Sequence, residues 1–191
     1  MKYWIYWLLL AAPLAFADTW EQSLVEAARE QTRQRVVYDG AYQRIAYPMG
    51  DVAPDRGVCT DVIIRAYRAL GADLQQLVHE DMKAHFDLYP NNWGLSRPDS
   101  NIDHRRVPNL QTYLRRFGQS LPIRPSADAY QPGDLVTWML PGNLPHIGLV
   151  SNRRSADGKR PLIIHNIGAG PREEDALGVA PVTGHYRFAP P

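Results

Sequence analysis

The chain has 191 residues, with 21 Lys and Arg against 20 Asp and Glu, six His and one Cys. So even a charge balance leaves no electrostatic footprint for nucleic acid or an anionic membrane surface, and a partner of either kind is not expected. A single cysteine excludes an internal disulfide and leaves two readings open, a buried small hydrophobe or a reactive thiol.

Met1-Lys2 is followed by an apolar run from Tyr3 to Phe16, with no acid before Asp18. Ala15-Phe16-Ala17 has the small-x-small pattern of a signal-peptidase site, so residues 1–17 are expected to be a signal peptide cut after Ala17. The run falls short of the roughly 20 residues a membrane span needs, so no stable membrane insertion is expected after cleavage. The remaining chain, 18–191, is expected to be one domain, periplasmic or secreted, and a monomer.

Asp18 or Thr19 is placed to cap a helix through Trp20, Leu24, Val25 and Ala28, fading near Val36-Val37. Gly40, Pro48, Gly50, Pro54 and Gly57 make residues 38–58 a loop. After Cys59, the spacing of Val62, Ile63, Ala66, Tyr67 and Leu70 predicts a buried helix face that ends at Gly71. Asp73 caps a further helix with Leu74, Leu77, Val78 and Met82 inward. Residues 90–105 carry turn formers and no period. Another helix follows Pro108 through Leu110, Tyr113, Leu114 and Phe117, stopping at Gly118. Thereafter Asp134–Leu140, His146–Asn152, Leu162–Asn166 and His185–Phe188 read as short strands between turns. Helices first and strands second predict an α+β fold, with N-terminal helices packed on a C-terminal antiparallel sheet.

Cys59 falls where a Gly-rich loop meets the first turn of a helix. The helix dipole and unpaired N–H groups there favour the thiolate, so an unusually acidic, nucleophilic thiol is expected. The same N–H groups could serve an oxyanion. Among the six His, His146 opens a strand after the turn Pro141-Gly142-Asn143-Leu144-Pro145, at the mouth of a cleft, and is the candidate base. His165 closes the next strand, where antiparallel pairing could set it beside His146 as an orienting ring. His79, His85, His104 and His185 read as solvent-facing, packing or locally bonded. No short ligand pair such as H-E-x-x-H is present, which argues against a metal site.

YPMGDVAPDRGVCTDVIIRAYRALG resembles the segment of NlpC/P60 hydrolases in which a Tyr precedes by twelve residues the Cys that starts a helix. GDLVTWMLPGNLPHIGLVSN followed by LIIHNIG resembles that family's strand pair. GVCTDVIIRAYR, DSNIDHRRVPNL, PHIGLVSN, PLIIHNIG and GHYRF together resemble the DUF1287 proteins, a family grouped with these peptidases, over about residues 22–188.

The resemblance implies a papain-like fold and cleavage of amide bonds in peptidoglycan stem peptides, with no cofactor and no metal. Cys59 would be the nucleophile, His146 the base, His165 the third residue, and Tyr47 a substrate or oxyanion contact. Asp61 and Asn166, beside the nucleophile and the third residue, join the substrate-binding candidates. So do Asn101, Asp103 and His104 of the DSNIDHRR segment, for which a hydrogen-bonded structural loop is the alternative. Val58-Cys59-Thr60-Asp61 departs from the usual Asp-Cys-Ser-Gly, and the stretch between the two His, with Arg153, Arg154 and Arg160, is long. Competing functions are an acyl or peptidyl transferase, a catalytically silent cell-wall binding module and a metal-dependent hydrolase.

Overall fold

The computed structural model describes residues 19–190, so the proposed signal segment lies outside the described residues. Helix α1 is Trp20–Glu30, opened by a reciprocal cap. Thr19 Oγ1 accepts from the Gln22 N–H at 3.3 Å, and Gln22 Oε1 accepts from the Thr19 N–H at 2.8 Å. The expected loop that follows contains two short parallel strands, β1 (Val37–Tyr38) and β2 (Arg56–Gly57). Two-residue strands carry no readable alternation, which is why the sequence hid them.

Helix α2 (Cys59–Ala69) and helix α3 (Leu74–Ala84) follow at the expected places. Gly71 adopts φ +86° between them, a conformation that favours glycine. Asp73 caps α3 by accepting from the Gln75 N–H at 3.1 Å. Helix α4 is Val107–Phe117. Phe117 at its end is 51% exposed and lies stacked on Tyr113.

Six antiparallel strands form the C-terminal sheet: β3 (Gln119–Ser120), β4 (Leu135–Leu140), β5 (Leu144–Arg154), β6 (Pro161–His165), β7 (Arg172–Glu174) and β8 (Val182–Arg187). Their spatial order is β3-β8-β4-β5-β6-β7. The sequence missed β3 and β7, which are too short and too polar to stand out.

Alternation along the strands serves two cores. Leu135, Ile147, Leu149 and Ile164 face the helices, where Val25, Ile63 and Leu110 cover them. Val136, Trp138, Val150 and Ile163 face the other way and are covered by Tyr130, Ala176 and Leu177. Each fully buried Leu or Ile contributes roughly 1.5–3 kcal/mol. The central strand β5, covered on both faces, is therefore a rigid base for whatever its first residues carry. Among the described residues, no helix is long and apolar enough to cross a membrane.

Candidate active site

Cys59 is the first residue of α2 and is 4% exposed. Val58 before it offers no capping oxygen. The cap is supplied from inside the helix, where Asp61 Oδ2 accepts from the Val58 N–H at 2.6 Å. Arg105 grips the same carboxylate with two bonds, Nε to Oδ1 and Nη2 to Oδ2, each 2.8 Å. The Arg105 carbonyl accepts from Thr60 Oγ1 at 3.0 Å. A buried guanidinium–carboxylate fork thus fixes the first turn of the helix.

The Cys59 sulfur faces the backbone N–H of Ile147, the residue after His146, so the helix start abuts the mouth of β5. His146 lies directly across from Trp138 in register, with ring centroids 5.8 Å apart. Its Nε2 is 2.7 Å from Nδ1 of His165. This contact depends on Gly148. A Cβ there would come within 2.6 Å of Ile163 Cγ2 and 3.2 Å of His165 Cβ, forcing β6 away from β5. His165 Nε2 is in turn 3.0 Å from Glu174 Oε1 on β7. No hydrogen bond joins the thiol to the His146 ring, whose Nδ1 has no partner among the described residues.

Burial decides the charge state of both groups. It pushes the Cys59 thiol up to about 11, against the backbone N–H groups of Ile147, Thr60 and Cys59, which favour the thiolate. The expected acidic thiol is therefore reversed: desolvation of the charge outweighs the helix start. Burial, then the neighbouring His165, lowers His146 to about 3, and burial also lowers His165. Burial thus favours the neutral form of the thiol and of both imidazoles.

The remaining candidates divide. Asn166 bridges to the loop before Cys59, its Nδ2 donating to the Gly57 carbonyl at 3.3 Å, and its Oδ1 accepts from the Gly168 N–H at 3.1 Å. Asp61 has both oxygens committed to Arg105 and Val58. Asp103 and His104 are 0% and 2% exposed, in the short turn that carries Arg105. That segment is a frame under the helix, its polar groups turned inward. Asn101 is the member of the set that lines a cavity, one of about 690 Å³ walled also by Tyr42, Arg44, His79, Lys83 and Arg97.

Tyr47 is 42% exposed and sits edge-on to His79, with centroids 4.9 Å apart, away from the thiol. Tyr38 is the tyrosine near the thiol. Its phenol is pushed up to about 12 by burial, then by charge on Cys59 and Asp61, with Arg105 opposing. The sequence missed Tyr38 because β1 brings it to Cys59 through pairing with β2, not through any fixed spacing. It missed Glu174 because a third shell on a three-residue strand has no sequence signature.

Two openings flank the site. One of about 350 Å³ is lined by Gly40, Tyr42, Val58 and Arg105, and one of about 480 Å³ by His165, Ile167, Glu174 and Val179. Among the described residues, no group of three or more His, Cys, Asp or Glu side chains is arranged to hold a metal ion.

An uncharacterized protein, YijF of Escherichia coli (strain K12), is 51% identical over 166 residues, covering 87% of this chain and 80% of its own. Among solved structures, NlpC1 from Trichomonas vaginalis overlays with a TM-score of 0.48 at 16% identity over 88% of this chain. The chain spans 44% of that structure, less than half its length. The family model described as a domain of unknown function, DUF1287, matches residues 25–188. The chain belongs to the DUF1287 family.

Proposed function

We propose that the protein is an exported cysteine hydrolase that cleaves amide bonds in the peptides of peptidoglycan. The observation that carries this reading is the 2.7 Å pairing of His146 with His165 at the strand mouth against which the only cysteine is set. The lone thiol starts a helix that packs on the strand carrying a base paired to an orienting group, and these are the parts nucleophilic acyl chemistry requires.

In this reading the resting enzyme stores no ion pair. A peptide entering through the flanking openings turns the thiol from the Ile147 N–H toward Nδ1 of His146. The S–H bond breaks as the proton passes to Nδ1, and the sulfur's electron pair attacks the amide carbonyl. The helix-start N–H groups that now favour a thiolate hold the oxyanion. His146 then returns its proton to the leaving amine, and water releases the acyl group by the same route. Absence of a tight thiol–imidazole contact at rest is consistent with sites that tighten only around substrate. In this reading the apolar N-terminus and its A-x-A motif serve as an export signal, and residues 18–191 are the working domain.

The test is digestion of purified peptidoglycan with residues 18–191 and with the Cys59→Ala variant, products being identified by mass. New amino termini from the first and none from the second support the reading. An intact wall in both, with a correctly folded protein, removes it.

A further inference from the structure

The His146–His165 pair contains a proton-order problem. A neutral imidazole carries one N–H, and a hydrogen bond between two rings needs a donor on one and a lone pair on the other. The 2.7 Å contact between His146 Nε2 and His165 Nδ1 is satisfied by either of two arrangements. In one, His146 donates through Nε2, and its Nδ1 keeps the lone pair that can take the thiol proton. In the other, His165 donates through Nδ1, and the sole proton of His146 sits on Nδ1. The second arrangement blocks the base.

Something outside the pair must choose, and the sheet register shows what does. Glu174 pairs directly with Ile163 and Glu173 with Ile164, so the two carboxylates leave β7 on opposite faces. Glu173 turns to the helix side and holds Arg29 at 2.9 Å. Glu174 shares the face of Ile163 and His165, and its Oε1 is 3.0 Å from His165 Nε2. An ionised carboxylate only accepts, so that nitrogen carries the hydrogen. His165 Nδ1 is then a lone pair, His146 Nε2 must donate to it, and His146 Nδ1 is left bare. One anion fixes two tautomers in series.

We propose that Glu174 is a positioning residue that sets the proton order of the His146–His165 pair and so keeps Nδ1 of His146 free to act as a base. The ordering follows from the hydrogen bonds; its catalytic consequence rests on the cysteine-hydrolase reading above. Glu174 is a suitable residue to vary, because its side chain is 42% exposed and its loss leaves no buried charge. Lys is the informative replacement. Its ammonium can only donate to His165 Nε2, which favours Nδ1–H on His165 and hence Nδ1–H on His146.

The experiment is ¹⁵N-edited NMR of the imidazoles in residues 18–191, wild type, Glu174→Lys and Glu174→Asp, at neutral pH. The wild type is expected to show Nε2–H on both His146 and His165. In Glu174→Lys, Nδ1–H signals should appear on both rings together, while Glu174→Asp keeps the wild-type pattern. Where the protein cleaves peptidoglycan peptides, kcat should fall about 100-fold in Glu174→Lys with little change in KM. Rings that stay Nε2–H in Glu174→Lys, or a wild type already mixed, would overturn the proposal. A tautomer switch in a protein with no wild-type activity upholds the ordering and removes the hydrolase reading instead, so the two failures are distinguishable.

Discussion

Two polar networks flank the packing of α2 on β5, and they are built on opposite rules. Under the helix start, Asp61, Arg105, Thr60 and Val58 use their hydrogen-bonding groups on one another. At the strand mouth, His146, His165 and Glu174 form a row whose last ring atom, His146 Nδ1, has no partner among the described residues. A satisfied network with charges inside is a scaffold, because any ligand would first have to break it. A row that ends in an unpaired basic atom has capacity left for chemistry. Proximity to the nucleophile is thus a poor guide to role. Asp61 is two residues from Cys59 and belongs to the frame, whereas Glu174 lies 115 positions away in the chain and belongs to the row.

The sharpest way to separate the two networks is to remove one member of each. His146→Ala should lower kcat on peptidoglycan peptides by about 10⁴-fold or more, as losses of a base within a catalytic unit do. His165→Ala should cost less, because it orients the base without touching the substrate. Unfolding free energy should change far less than activity in both. Equal losses at the two positions would mean that the row works as a single unit and not as base and orienter.

Arg105→Ala should do the reverse. It leaves the Asp61 carboxylate buried beside Val58 with its main counter-charge gone, a change that costs about 3–5 kcal/mol. Urea denaturation followed by circular dichroism measures it. A loss below about 1 kcal/mol, the range of surface pairs, would show that water reaches the fork and that the frame is looser than drawn.

These contrasts also mark what the sequence could disclose. Helices α2, α3 and α4 and the four longer strands were legible, since each has an apolar period, a cap or a glycine stop. Cys59, His146 and His165 were legible from their places at element ends. The DSNIDHRR segment stood open between a subsite and a hydrogen-bonded structural loop, and Asp103 and His104 are buried. Polarity in sequence does not distinguish a group that faces solvent from one that faces a buried partner. The choice between Tyr47 and Tyr38 turned on a parallel pairing of two-residue strands, which no local pattern encodes.

Acid should weaken the fold through its buried imidazoles. Burial lowers His146 to about 3 and His104 to about 4, so the unfolded chain binds these protons first. Their folded pKa values lie below the unfolded value of about 6.5. Stability is therefore present in full above about pH 6.5 and is lost as pH falls toward the folded values. Urea midpoints at pH 7.5, 5.5 and 4.5 should decline in that order, and His104→Gln should flatten the decline. A midpoint unchanged down to pH 4.5 would mean that the rings protonate in place.

The smallest and most discriminating effect concerns the thiol itself. A nucleophile kept as thiolate and one kept neutral until substrate arrives predict opposite titrations. Burial pushes Cys59 up to about 11 in the folded protein. Iodoacetamide labelling of the native protein should accordingly stay slow at neutral pH and rise only in the alkaline range. In urea the same thiol should label with a midpoint near 8.5, the free value. Raised in the folded state, this pKa contributes stability that is present in full below about 8.5 and lost as pH climbs toward about 11. Tyr38 sharpens the comparison, because its ring is close enough to Cys59 for charge on the thiol to disfavour its phenolate. Tyr38→Phe removes that neighbour and opens the thiol slightly, so its labelling should shift a few tenths of a pH unit downward. Tyr47→Phe, beside His79, should leave labelling unchanged. Native labelling that begins well below pH 8 would restore the acidic thiol expected at a helix start. It would also mean that the closed arrangement around Ile147 opens readily in solution.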